Sequence, residues 1–258
     1  MVIAPAIEEF PLNADPTAQL VLLEVQEHDS HVDQLEHRLR TLPEHSEIER
    51  LDAQLAELRD QLVAAETDES DLQRELAKSE ADVEQVRLRA ARDQQRLNSG
   101  GITSAKELES LQHEIGSLAR RQGDLEEIEL EVMERLEATQ SRLQQLRTDH
   151  TTAAEAHANA VTRRDQAVVD IDKEIAVAKE QRASIVSDVP ADLVTLYEKL
   201  RRDLDGVGAA PLRQGRCGGC RLELNNSDIG RIRSAAPEEV LRCEECRRIL
   251  VRTDESGL

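Results

Sequence analysis

Asn98-Ser99-Gly100-Gly101-Ile102-Thr103 lies between two long stretches of sequence with helical periodicity. Two adjacent glycines admit positive φ and mark a tight turn. Ser104-Ala105-Lys106-Glu107, which follows, has the spacing of a capping box, with Ser104 to cap a new helix and Glu107 to reach back. Upstream, apolar residues recur at Ile48, Leu51, Leu55, Leu58, Leu62 and Ala65, then at Leu72, Leu76, Val83, Val86, Ala90 and Leu97. Downstream they recur at Leu108, Leu111, Ile115, Leu118, Leu125, Val132, Leu136, Leu143 and Leu146, and after an Ala-rich stretch the phase shifts to Val168, Ile171, Ile175, Ala178 and Ile185. A 3.5-residue repeat keeps one stripe facing a partner helix. Two such stripes joined by a short turn become each other's partner.

The fold class is therefore mainly α: a long antiparallel coiled-coil hairpin over residues 17–187, with its turn near 98–103. Arms of about 80 residues reach ~120 Å at 1.5 Å per residue. Folding about Gly100 and Gly101 sets Pro43 opposite the Ala-rich stretch near residue 158, which reads either as a hinge or as a local irregularity. The same register brings His45 towards His157, where a second metal site is a minor reading. Gly116 and Gly123, one heptad apart, either soften the tip or admit a partner.

Composition agrees with long helices. Aromatic residues make up 1% of the chain and charged residues 33%, too few large apolar side chains for an ordinary globular core of this length. The formal charge of −20 is unevenly placed. Residues 17–198 hold 40 acidic and 21 basic residues, whereas 199–252 hold 8 acidic and 12 basic. The hairpin should repel nucleic acid and the C-terminal part attract it. No apolar run approaches the ~20 residues of a membrane span, and the N-terminal stretch lacks the basic start of a secretory signal. A cytoplasmic location is expected. Residues 1–16, with three prolines, read as a disordered tail, and 188–208 as a short helix from Ala191 followed by a linker.

The chemistry lies in residues 209–254. Cys217-Gly-Gly-Cys220 and Cys243-Glu-Glu-Cys246 are two knuckles separated by 22 residues. Four converging thiolates suit one tetrahedral structural zinc, with iron or redox disulfides as the alternatives. Gly218 and Gly219 should let the first knuckle turn tightly, with its amides facing sulfur. Strands are expected at Arg221–Leu224, Glu239–Arg242 and Ile249–Arg252, with Ser227 capping a short helix between them. A four-cysteine site is closed to water and substrate, so the metal should stabilise this small module and leave the helices indifferent to its loss. No phosphate-binding glycine loop, G-x-S-x-G or H-E-x-x-H is present, and the carboxylates read as solvated helix faces. An enzyme is not expected.

The stretch RCGGCRLELNNSDIGRIRSAAPEEVLRCEECRRILVRT, together with GGITSAKELESLQHEI at the turn, resembles the bacterial C4-type zinc-ribbon proteins that carry a long N-terminal coiled-coil hairpin. The likeness runs from about Asn13 to Arg252. It implies zinc at Cys217, Cys220, Cys243 and Cys246. It also implies a place among proteins of which some are linked to flagellar or type III export and to an alternative sigma factor, and for which nucleic-acid binding has been proposed. Arg247 stands where the resemblance leads one to expect Gly, at a position that often needs positive φ.

Nine arginines fall in or beside the ribbon. Of these, Arg231, Arg233, Arg247 and Arg248 are the candidates for nucleic acid, RNA or DNA, since the guanidinium fork suits phosphate. With no aromatic residue in the ribbon, base stacking is not available and binding should be salt-sensitive. The other reading of these residues is a solvated face or a dock for an acidic protein. The expectation is a monomer or weak dimer that binds protein partners through the hairpin and nucleic acid through the ribbon. The alternative is a structural or chaperone-like scaffold without nucleic acid.

Overall fold

The structure is a computed structural model that describes residues 12–258. Among the described residues, four helices precede the ribbon: α1 (Pro16–Arg40), α2 (Pro43–Asn98), α3 (Ala105–Val186) and α4 (Ala191–Asp203). The ribbon holds β1 (Ala209–Arg213), β2 (Arg216–Cys217), α5 (Asn226–Ser234) and β3 (Ile249–Val251). The chain forms two compact units, one of residues 44–162 and the other from the segments on either side.

Residues 44–162 form a helical hairpin of α2 and the first part of α3. Leu51, Leu58, Ala65, Leu72 and Ser79 are buried at intervals of seven along α2, the spacing of a coiled-coil seam. Leu58 and Ala65 share a cluster with Leu143, Leu146 and Ala153 of α3. Ion pairs cross between the arms at Arg96–Glu107 (2.7 Å), Arg87–Glu126 (3.0 Å) and Arg147–Glu66 (3.2 Å). Exposed pairs of this kind contribute at most ~1 kcal/mol each, so they mark the register more than they stabilise it.

Three expectations change here. Glu107 bonds Arg96 across the turn, and α3 starts with a backbone bond from Leu108 N–H to the Ser104 carbonyl. The Ala-rich stretch lies nearer the turn than expected, with Ala153 in one cluster with Leu55 and Leu58. His157 bonds Asp52 at 3.0 Å. Gly100 does adopt positive φ, at 69°.

In the second unit, α1 ends at Arg40 and α2 opens on Pro43, where a missing N–H costs nothing. Thr41 closes α1, its N–H and hydroxyl both bonded to the His37 carbonyl. The helix is thus broken at Thr41–Leu42. Leu42 packs with Val32, Leu35, Ile171, Ile175 and Ala178.

The ribbon is not a separate module. Leu22 and Val25 of α1, Leu193, Tyr197 and Leu200 of α4, and Ala209, Ile249 and Val251 of the sheet form one core. Gly208 lies so close to α4 that a Cβ there would stand 2.6 Å from the Tyr197 carbonyl. At the helix junction, Asp29 accepts from Tyr197 Oη (2.7 Å) and Arg182 Nε (2.7 Å), while Arg201 bonds Asp33 (2.6 Å). Asp29 is 5% exposed, so the reading of all carboxylates as solvated fails at this residue.

The N-terminal reading is corrected too. Leu12–Asp15 are placed against the ribbon: Ala14 N–H donates to the Glu238 carbonyl (2.7 Å) and Val240 N–H to the Leu12 carbonyl (2.9 Å). Asp15 then caps α1 through Thr17 N–H. The remainder of the expected tail, residues 1–11, lies outside the described residues.

The sheet order is β2-β1-β3, with β1 antiparallel to β2 and parallel to β3. Ile249–Val251 is a strand as expected, but 221–224 and 239–242 contribute only single bridges. The central strand β1 falls in a segment with Gly208 before it and Pro211 within it, both weak strand signals. Asn225, not Ser227, caps α5.

Candidate metal centre

Cys217 ends β2, and Cys220 follows after a tight turn. Cys243 and Cys246 frame a second turn just before β3. The two turns repeat each other bond for bond. Arg221 N–H donates to the Cys217 carbonyl and Arg247 N–H to the Cys243 carbonyl, both at 2.8 Å. Cys217 N–H reaches the Leu222 carbonyl (3.1 Å), and Cys243 N–H the Arg248 carbonyl (2.9 Å). Arg221 and Arg247 both have φ of 64°. The backbone conformation expected at Arg247 is therefore present, and its twin at Arg221 is not apparent from the sequence of one knuckle alone. A non-Gly residue there costs roughly 1–2 kcal/mol.

The glycines of the first knuckle serve its neighbours more than its turn, because Glu244 and Glu245 occupy the same places in the second. A Cβ on Gly218 would stand 3.0 Å from Pro211, and one on Gly219 would stand 2.6 Å from Arg248 Cδ. Neither glycine has positive φ.

The four sulfurs lie within 4.8 Å of one another. The separations Cys217–Cys246 (3.8 Å) and Cys220–Cys243 (3.9 Å) match the tetrahedral edge of about 3.8 Å implied by Zn–S bonds of about 2.3 Å. All four cysteines are free, and these distances are far beyond the ~2.05 Å of a disulfide. Amides of Cys220 and Gly219 donate to Cys217 sulfur, and those of Cys246 and Glu245 to Cys243 sulfur. Burial nevertheless pushes the Cys217 thiol up to about 12 and raises Cys243, with neighbouring sulfurs adding to the rise. Cys246 feels the same burial, but hydrogen bonds from the backbone and side chain of Arg248 bring it down to about 7. Four thiolates so close together need a cation, and the site fits one structural zinc. Among the described residues this is the one group of His, Cys, Asp and Glu side chains spaced to hold a metal.

The four candidate arginines separate into two kinds. Arg231, Arg233 and Arg247 are exposed, and Arg231 and Arg247 share the Glu244 carboxylate. Arg248 is half-buried, and its guanidinium donates to the carbonyls of Val207 (2.9 Å) and Leu204 (3.0 Å). Arg252 is spent in a similar way, donating to the carbonyls of Ala235, Ala236 and Pro237.

Known proteins show the same two parts. Residues 25–205 match a CT398-like coiled coil hairpin domain, and residues 216–250 a C4-type zinc ribbon domain. An uncharacterized protein of Mycobacterium tuberculosis is 34% identical over 250 residues, covering 94% of this chain and 98% of the relative. A solved structure from Mycobacterium smegmatis superposes with a TM-score of 0.78 at 35% identity, covering 93% of this chain and all of that one. The structure of CT398 from Chlamydia trachomatis, at 17% identity and a TM-score of 0.65 over 92% of this chain and 98% of that one, shares the fold. With the hairpin model matched over most of its length and the ribbon model over its cysteines, the chain belongs to the CT398-like coiled-coil hairpin family with a C4-type zinc ribbon.

Proposed function

We propose that the protein is a non-enzymatic cytoplasmic adaptor whose hairpin engages protein partners and whose ribbon engages nucleic acid through phosphate. The observation that carries this reading is the segregation of charge. Residues 17–198 are strongly acidic, while Arg231, Arg233 and Arg247 stand exposed on the ribbon. A closed four-cysteine site offers no open coordination position, so the metal holds the fold. Free thiolate ligands suit a reducing compartment.

The test is fluorescence anisotropy of the full chain with labelled RNA and DNA at several salt concentrations. Neutralising Arg231, Arg233 and Arg247 should weaken binding to unrelated sequences equally. It should also flatten the plot of log K against log salt by about 0.7–0.9 per lost phosphate contact. Absence of binding by the wild-type protein at low salt would overturn the nucleic-acid part. That result would favour a protein-only scaffold, a reading supported by Glu244, which already neutralises part of the charge of Arg231 and Arg247.

A further inference from the structure

We propose that Arg248 is a positioning residue of the metal centre that couples zinc occupancy to the junction between the ribbon and the helices. It is tied to three parts of the structure at once. Its carbonyl accepts from Cys243 N–H at 2.9 Å, which fixes it within the second knuckle. Its side-chain stem crosses the first knuckle, where only a glycine at 219 leaves room for Cδ. Its guanidinium donates to the carbonyls of Leu204 and Val207, just past the end of α4, where a helix dipole favours a cation.

The turn it grips has little freedom of its own. Gly206 N–H bonds the Arg201 carbonyl (2.9 Å), and the amides of Gly208 and Ala209 both donate to Gln26 Oε1 of α1 (2.7 and 3.3 Å). Gly208 is pressed against Tyr197. A rearrangement of the knuckles on loss of the metal therefore moves a segment bonded to both α4 and α1. In the other direction, Arg248 supports the metal. Four thiolates around a divalent cation carry an excess of two negative charges, and the guanidinium of Arg248, whose stem lies against the first knuckle, offsets part of it.

The experiment uses the full chain in two measurements. Zinc affinity is read by competition with a chromophoric chelator, and amide hydrogen exchange is read over residues 204–209 with and without zinc. In the wild-type protein, zinc removal should raise exchange across 204–209. Arg248→Met keeps the stem and removes the charge and the donors. It should lower zinc affinity 10- to 100-fold, the usual effect of losing such a partner, and show raised exchange at 204–209 even with zinc bound. Arg248→Lys should recover part of the affinity through its charge. A purely structural strap would alter exchange and leave affinity unchanged. The proposal is overturned if Arg248→Met binds zinc as tightly as wild type, or if wild-type exchange at 204–209 ignores zinc removal. If Arg248→Met does not fold, the wild-type exchange comparison and the affinity of Arg248→Lys, expected to lie below that of wild type, decide the matter.

Discussion

Tyr197 Oη donates to Asp29 Oδ2 at 2.7 Å, and both side chains are sealed from solvent. A buried carboxylate with two cationic neighbours depends on each donor. Tyr197→Phe should cost about 1–3 kcal/mol through the acceptor left unsatisfied. Asp29→Ala should cost more than this, because it leaves the Tyr197 hydroxyl and Arg182 Nε without their acceptor, although Glu198 and Asp33 still pair with Arg182 and Arg201. Urea unfolding of the two variants against wild type checks both, and equal stabilities would contradict the role assigned to the network.

The same pair sets an alkaline limit. Burial first, and then the Asp29 carboxylate, raises the Tyr197 hydroxyl above its ordinary value. The unfolded chain releases this proton near pH 10, and the folded chain does so only at higher pH. The contribution is therefore fully present below about pH 10 and is lost as pH rises, by about 1.4 kcal/mol per unit. Tyr197 is the only tyrosine, and the chain has no Trp. Phenolate absorbance should thus appear together with loss of structure and not before it.

Removing zinc should reach beyond the ribbon. Cys243→Ser is expected to abolish zinc binding and change Tyr197 fluorescence, since Tyr197 shares a core with Ile249 and Val251. Exchange at Leu58, Ala65, Leu143 and Leu146, buried in their own cluster, should stay as in wild type. An unchanged Tyr197 signal would restore the picture of an independent ribbon.

Arg221 and Arg247 hold a conformation that suits glycine. Arg247→Gly should stabilise the zinc-bound ribbon by up to about 1 kcal/mol, the steric relief being partly offset by glycine's freedom in the unfolded chain. Arg247→Val should destabilise it, because a branched side chain tolerates positive φ least. Thermal unfolding of the zinc-loaded protein ranks the three.

On α3, an added Cβ at Gly123 would meet nothing within 4 Å, and one at Gly116 only the end of the Arg120 side chain at 3.9 Å. Neither glycine is closely packed against the described residues. Gly116→Ala and Gly123→Ala should each stabilise the helix by about 1 kcal/mol, seen as a higher midpoint in far-ultraviolet melting.

What the sequence revealed follows from the range of the interactions involved. The hairpin was legible because Leu51, Leu58, Ala65 and Leu72 repeat locally, and the metal centre because each knuckle is a four-residue motif. The junction was not legible, since Asp29, Tyr197 and Arg182 meet only after the chain has folded back. A signal for it does exist. Gln19, Gln26 and Asp29 interrupt the apolar stripe of Leu22, Val25 and Val32 on α1, and all three are buried. Polar residues on a buried stripe need partners from elsewhere. The capping box at Ser104 and the strands at 221–224 and 239–242 were local patterns overridden by tertiary bonds. The strand at Ala209–Arg213 was hidden by Pro211.

The clasp between Gln19 and Glu238 joins residues 219 positions apart, whereas Arg96 and Glu107, at the turn, are only 11 apart. Closing a long loop is slow compared with closing a short one. A ribosome making this chain releases the turn and both arms well before Cys246, so the hairpin can zip from its turn while synthesis continues. The N-terminal segment must meanwhile wait for its partner strands, leaving Leu22 and Val25 uncovered until the final stage. Metal capture and closure of the junction then follow the hairpin in the order of synthesis, and a shortage of zinc would catch the nascent protein with its arms built and Leu22 and Val25 open to chaperones.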